Sequence, residues 1–207
     1  MQVRHERDTL GEVSVPADAL YGAQTARAVE NFPISGWHAF PAFIRATVLV
    51  KKAAALANRE SGRLSADLCG AIVAACDEIL AGKHQDEFVV DVFQAGAGTS
   101  HNMNANEVLA NRASEILGGA RGEYRLVHPN DHVNMGQSTN DVYPTATRLA
   151  LLLMHGSLAE SARSLAASLG RKARDFEDVL KVGRTHLQDA VPMTLGQEFS
   201  GYAACIE

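Results

Sequence analysis

Residues 183–193 read Gly-Arg-Thr-His-Leu-Gln-Asp-Ala-Val-Pro-Met and place five kinds of polar group within six positions. The sequence before and after this stretch has helical periodicity. A helix in the protein core does not need so many polar side chains. Such a cluster either satisfies buried backbone or holds a polar ligand. If the segment is extended, alternate residues share a face, so Thr185 and Leu187 lie on one side and His186 on the other.

The composition is that of a globular chain rich in helix formers. Of its 207 residues, 46% are hydrophobic, 21% charged and only 6% aromatic, and alanine and leucine are plentiful. This length suits one or two domains with a sizeable core, and the composition favours helices. The net charge is −5 and no run of Lys and Arg forms a basic stripe, so we expect no nucleic-acid partner.

The chain shows no sign of export or of a membrane span. Its N-terminus lacks an apolar h-region, and its longest apolar run, 149–154, is too short to cross a bilayer. The cysteines are odd in number, and Cys69 and Cys76 lie seven apart in an apolar helical stretch, which indicates buried free thiols. We therefore expect a cytoplasmic protein without disulfides and without a membrane partner.

Hydrophobic periodicity and turn residues predict a mainly helical fold. A short alternating run within 1–16 suggests a small hairpin arm. The predicted helices cover 23–32, 42–60, 66–81, from Thr99 or Ser100 to 117, from 138 to 181, and from 196 onward. Lys51 and Lys52 are interpreted as a solvated helix edge.

A second polar cluster occupies 94–107, where Gly96 and Gly98 precede Thr99. Glycines allow a sharp turn or a close approach of the backbone to a ligand. Thr99 or Ser100 would cap the next helix, whose N-terminus suits a carboxylate. On these residues alone, a capped helix after a glycine turn and a ligand site are equally acceptable.

A third polar cluster occupies 128–141. Pro129 and Gly136 argue against a continuous helix before Ser138. His128 and His132 are four apart, which is metal-ligand spacing on a helix, but Pro129 intervenes and no third ligand is suitably placed. We therefore expect no metal site.

In chain order, the three clusters at 94–107, 128–141 and 183–193 resemble the signature regions of the fumarase/aspartase superfamily. The match extends from residue 16 to 207. The resemblance implies a small N-terminal helical domain with a short β-hairpin arm over residues 1–137. The first long helices of a central helical-bundle domain would follow over 138–207. It also implies a homotetramer whose active sites are each built from several subunits.

The resemblance further implies an elimination that leaves fumarate. A base removes the Cβ proton of a succinyl compound, and the carbanion spreads its charge onto the carboxylate, where fixed donors stabilise it. The family's substrate-binding positions correspond to Thr99, Ser138, Thr139 and Asn140. Thr185 and His186 would come from another subunit as catalytic residues that orient a small dicarboxylate, and no cofactor is implied.

Within the superfamily, residues 96–100 and 137–141 look like those of aspartases, whereas three other segments, at 117–119, 125–131 and 200–202, lean toward fumarases. The segment 125–131 resembles the second, non-catalytic anion site of fumarases through Arg125, His128, Asn130 and Asp131. We expect release of ammonia from L-aspartate, with hydration of fumarate as the alternative. A non-catalytic scaffold of the same fold is the alternative of another class.

One family feature has no match in these 207 residues. The family's catalytic base is a serine on a flexible glycine- and serine-rich loop, and members are much longer than this chain. We therefore expect an N-terminal fragment of an enzyme, with the base outside it and no activity of its own.

Overall fold

A computed structural model describes residues 2–207 and confirms the mainly helical fold with a short N-terminal hairpin. Its elements are β1 Val3–Asp8, β2 Gly11–Pro16, α1 Ala23–Asn31, α2 Pro41–Glu60, α3 Ala66–Leu80, α4 Thr99–Ile116, α5 Thr139–Asp175, β3 Leu180–Thr185, β4 Gln188–Thr194 and α6 Leu195–Ile206. One compact unit ends at Leu151 and a second covers Leu152–Glu207. The domain boundary at 137/138 stays a prediction.

The core of the first unit lies between α2, α3 and α4. Each helix contributes aliphatic residues at three- and four-residue spacings, among them Val48, Ile72 and Val108, which are all fully buried. Burying a side chain of this size contributes about 1.5–3 kcal/mol. Ser65 caps α3, because its hydroxyl accepts a hydrogen bond from Leu68 N.

The N-terminus of α1 is capped by side chains from elsewhere in the chain. Glu107 of α4 accepts hydrogen bonds from the backbone N–H groups of Gly22, Gln24 and Thr25 at 2.9–3.0 Å. Glu6 of β1 accepts from Ala23 N at 2.9 Å. Two buried carboxylates therefore satisfy the free N–H groups of α1 and tie β1, α1 and α4 together.

Replacing Glu107 by alanine should destabilise the protein by about 3 kcal/mol or more, because it leaves several buried N–H groups without an acceptor. The measurement is the midpoint of urea or thermal unfolding. Glu30→Ala, at the exposed C-terminal end of α1, is the control and should change stability by less than about 0.5 kcal/mol. Equal stability of the two variants would contradict this account of the cap.

The second unit contains the end of α5, an antiparallel hairpin of β3 and β4, and α6. Thr194 and Gln197 form a capping box at the start of α6. The predicted continuation of the long helix to residue 181 is wrong, since α5 ends at Asp175 and Leu180–Thr185 is a strand. β-Branched residues such as Val182 and Thr185 favour the extended state there.

No helix in the described part of the chain is long and apolar enough to cross a membrane.

Candidate active site

The cluster around Thr99 lies at the N-terminus of α4. Gly98 caps the helix in a left-handed conformation (φ 76°), so the predicted capping by Thr99 or Ser100 is wrong. A Cβ at Gly98 would overlap the Tyr143 ring of α5, so only glycine fits both the dihedral angle and the space. The Gln94 side chain accepts from His101 N at 2.7 Å, and Thr99 itself is exposed.

The residues 138–140 begin α5. The Ser138 carbonyl accepts hydrogen bonds from Asp141 N and Val142 N, and its hydroxyl accepts from Asn140 N at 3.3 Å. Ser138 therefore caps α5, at the position where the sequence predicts the helix to begin. Its side chain and that of Asn140 are exposed, whereas Thr139 is half-buried.

Asn102 connects the two helix starts. Its amide donates to the Thr139 hydroxyl oxygen at 3.1 Å and to Asn134 Oδ1 at 3.2 Å. Asn106, one turn further along α4, also donates to Asn134 Oδ1. The asparagines of α4 are thus buried and link neighbouring elements.

Lys51 donates to the same network and is fully buried, so the prediction of a solvated edge is wrong for this residue. Its Nζ atom lies 2.9 Å from Asn134 Oδ1 and 2.9 Å from Gln137 Oε1. Burial lowers the Lys51 pKa to about 7. Lys52 lies nearer the surface and pairs with Asp77. The sequence did contain a signal, because Lys51 is three residues after Val48 and shares its buried helix face.

His101 fixes α4 against α2 and α5. Its Nε2 atom lies 2.9 Å from the Thr47 hydroxyl, which donates its own hydrogen to the Phe43 carbonyl, so we assign the imidazole proton to Nε2. The ring packs against Phe43 and Tyr143. Burial, with a smaller effect of the nearby Lys51, lowers the His101 pKa to about 4.

The lowered pKa of His101 predicts a loss of stability in acid. Above pH 6.5 the imidazole is neutral in both the folded and unfolded states, and between pH 6.5 and 4 only the unfolded state takes up the proton. This residue should therefore remove about 3 kcal/mol from the free energy of unfolding over that interval. His101→Gln should flatten the pH dependence of unfolding, with His155→Gln as the matched control. An unchanged slope in His101→Gln would contradict the assignment.

The polar cluster of residues 183–193 lies at the tip of the β3–β4 hairpin. Thr185 pairs with Gln188, and His186 and Leu187 form the two-residue turn with φ of 48° and 62°. Positive φ at both positions is the pattern of a type I′ turn, which normally uses Asn and Gly. The extended segment in which side chains alternate between two faces therefore ends at Thr185, and the predicted alternation does not extend to His186 and Leu187. Thr185 and His186 are both exposed.

The residues of the predicted second anion site are partly brought together. His128 and Asn130 line a cavity of about 520 Å³ together with Glu6, Arg27 and Tyr124. His128 Nδ1 accepts hydrogen bonds from the backbone of Asn130 and Asp131, so the ring caps the turn at Pro129–Val133. Because Nδ1 is an acceptor, His128 and the nearby Asp131 carboxylate do not form an ion pair. Arg125 is exposed and pairs with Glu123 at 3.0 Å.

Within residues 2–207, no group of three or more His, Cys, Asp or Glu side chains is placed to hold a metal ion. Cys69 and Cys76 are buried free thiols, as predicted, and Cys205 is an exposed one.

A family model described as Lyase matches residues 11–207. The chain is 56% identical over 208 residues to the class II fumarate hydratase of Ralstonia nicotianae. It is 53% identical over 204 residues to an aspartate ammonia-lyase of a Bacillus species. The chain belongs to the fumarase/aspartase superfamily. It spans less than half the length of these relatives, since all of it matches 45% of the first and 99% of it matches 44% of the second.

Solved structures of the superfamily share this fold. The fumarate lyase:delta crystallin of Brucella melitensis superimposes with a TM-score of 0.88 at 56% identity, over 99% of this chain and 48% of that one. The class II fumarase of Schistosoma mansoni gives a TM-score of 0.85 at 44% identity, over 99% of this chain and 43% of that one. In sequence, a relative named fumarate hydratase and a relative named aspartate ammonia-lyase are similarly close to this chain, at 56% and 53% identity.

Proposed function

We propose that the chain is the N-terminal part of an aspartate ammonia-lyase, which releases ammonia from L-aspartate and leaves fumarate. The observation that carries this proposal is the junction of the helix starts at Thr99 and Thr139, joined by Asn102. Two helix N-termini with exposed hydroxyls form a site that suits a carboxylate. The aspartase-like residues 96–100 and 137–141 form this junction, and substrate discrimination depends on such contacts.

The proposed reaction begins when a base removes the Cβ proton of the bound substrate. Ser138, Thr139 and Asn140 donate hydrogen bonds to the carboxylate on which negative charge develops, and Thr99 contacts the amino end. Thr185 and His186 of a second subunit orient the substrate. The base itself is a serine beyond residue 207, so the chain of 207 residues is inactive alone. The working enzyme is a cytoplasmic homotetramer that acts without a cofactor.

Fumarate hydratase is the second candidate. The observation that favours it is the segment 128–131, which resembles the second anion site of fumarases and places His128 and Asn130 in one cavity. A class II fumarate hydratase is also among the relatives of highest identity.

The test is the ultraviolet absorbance of fumarate released by the complete protein that carries this chain, with L-aspartate and L-malate assayed in parallel. Turnover of aspartate with little from malate supports the ammonia-lyase. Turnover of malate instead overturns it in favour of fumarate hydratase. Activity on neither substrate would favour the non-catalytic scaffold, and turnover by the isolated 207 residues would refute the placement of the base.

A further inference from the structure

Lys51 is a buried amine with no carboxylate partner within residues 2–207, and its pKa of about 7 leaves part of it as the ammonium ion at neutral pH. Its two hydrogen-bond acceptors are the neutral amides of Asn134 and Gln137. Burial raises the pKa of the nearby Cys76 thiol to about 12, so this group stays uncharged. The imidazole of His101 is neutral as well, because burial lowers its pKa to about 4. A buried ammonium without a carboxylate partner is unfavourable for folding.

The position of this cation relates it to the proposed substrate contacts. Asn134 Oδ1 accepts from Lys51 Nζ at 2.9 Å and from Asn102 Nδ2 at 3.2 Å. The same Asn102 nitrogen donates to Thr139 Oγ1 at 3.1 Å. Three consecutive hydrogen bonds thus connect the Lys51 ammonium with the hydroxyl at the start of α5.

We propose that Lys51 is a positioning residue for the dicarboxylate, one that attracts the substrate anion to the start of α5 and holds residues 134–139 in place for it. The inference rests on the proposed function, since it assumes that an anion binds beside Thr139. A buried positive charge is only weakly screened by solvent and salt, so it strengthens the binding of a nearby anion. It acts on substrate and transition state alike, because both carry the carboxylate.

Lys51→Met in the complete protein tests this inference, with Lys52→Met as the matched control one residue away and nearer the surface. Lys51→Met should weaken binding of succinate, an unreactive dicarboxylate, and raise KM, each by about tenfold. We expect kcat to change by less than about threefold, because uniform binding affects KM alone. The melting temperature should stay close to that of the wild type or rise, since replacing a buried charge by an apolar side chain is often neutral or stabilising.

Lys51→Gln is the second variant, and it decides the question if Lys51→Met does not fold. Its amide keeps hydrogen-bond donors at this position but carries no charge, so it should weaken succinate binding in the same direction. A merely structural role of Lys51 would leave the succinate affinity of this variant unchanged.

The outcomes separate this inference from the proposed function. Unchanged succinate affinity and KM in Lys51→Met, in a wild-type protein that does form fumarate, would overturn the role of Lys51 alone. A lower melting temperature and lower kcat with unchanged KM would do the same and indicate a structural role. A wild-type protein that neither binds succinate nor forms fumarate overturns both.

Discussion

Replacing Thr139 by valine is expected to lower kcat/KM of the complete enzyme by about 100-fold, because the substitution removes one donor to the developing negative charge. The Thr139 oxygen accepts a hydrogen bond from Asn102, so its own hydrogen remains available for the substrate carboxylate. Valine has nearly the same shape, and the Asn102 amide keeps its second acceptor, Asn134 Oδ1, so we expect the fold to be retained. The measurement is the rate of fumarate formation as a function of substrate concentration.

Thr147→Val is the matched control for this variant. Thr147 lies on the exposed side of α5 and its hydroxyl donates to the Tyr143 carbonyl of its own helix. We expect this control to retain wild-type kinetics. If Thr139→Val were as active as Thr147→Val, the helix start would not be the carboxylate site.

His186→Asn is expected to lower kcat by about 100-fold while the stability of the protein is unchanged or slightly higher. The imidazole is exposed at the tip of the hairpin, so its loss removes no packing. Asparagine also tolerates positive φ better than histidine does, and φ is 48° here. Backbone strain retained at an exposed polar residue is typical of functional sites.

Leu187→Asn serves as the control, because it changes the other residue of the same turn, where φ is 62°. It should raise stability by relieving strain and should preserve activity, since His186 is kept. Steady-state kinetics and thermal unfolding of both variants give the comparison. Full activity of His186→Asn would remove His186 from the proposed site.

The sequence predicted the helices of the first unit to within one or two residues. Their boundaries are set locally, by Pro41 and Ser65 at the beginnings of α2 and α3 and by glycines beyond the ends. The β3–β4 hairpin was not predicted, since the long helix was expected to continue to residue 181. Its turn uses His186 and Leu187 in place of the usual Asn-Gly, so the local signal for a hairpin is missing and the conformation depends on tertiary context.

The candidate site was predicted from the polar clusters, but the contacts that support it were not. Lys51 and Lys52 are adjacent and chemically identical, and the spacing of Lys51 from Val48 is the sequence signal that the first is buried while the second is nearer the surface. The capping of α4 by Gly98 in place of Thr99 depends on a distant residue, since Tyr143 occupies the space beside Gly98. Long-range contacts of this kind are not encoded in local pattern or periodicity.

Mixing two inactive variants tests most directly whether the clusters of different subunits form one site. Thr139→Val and His186→Asn of the complete protein are unfolded together, refolded as a mixture and assayed for fumarate formation. If each site takes Thr139 from one subunit and His186 from another, random assembly restores about a quarter of the wild-type activity. A mixture no more active than the separate variants would contradict the shared site.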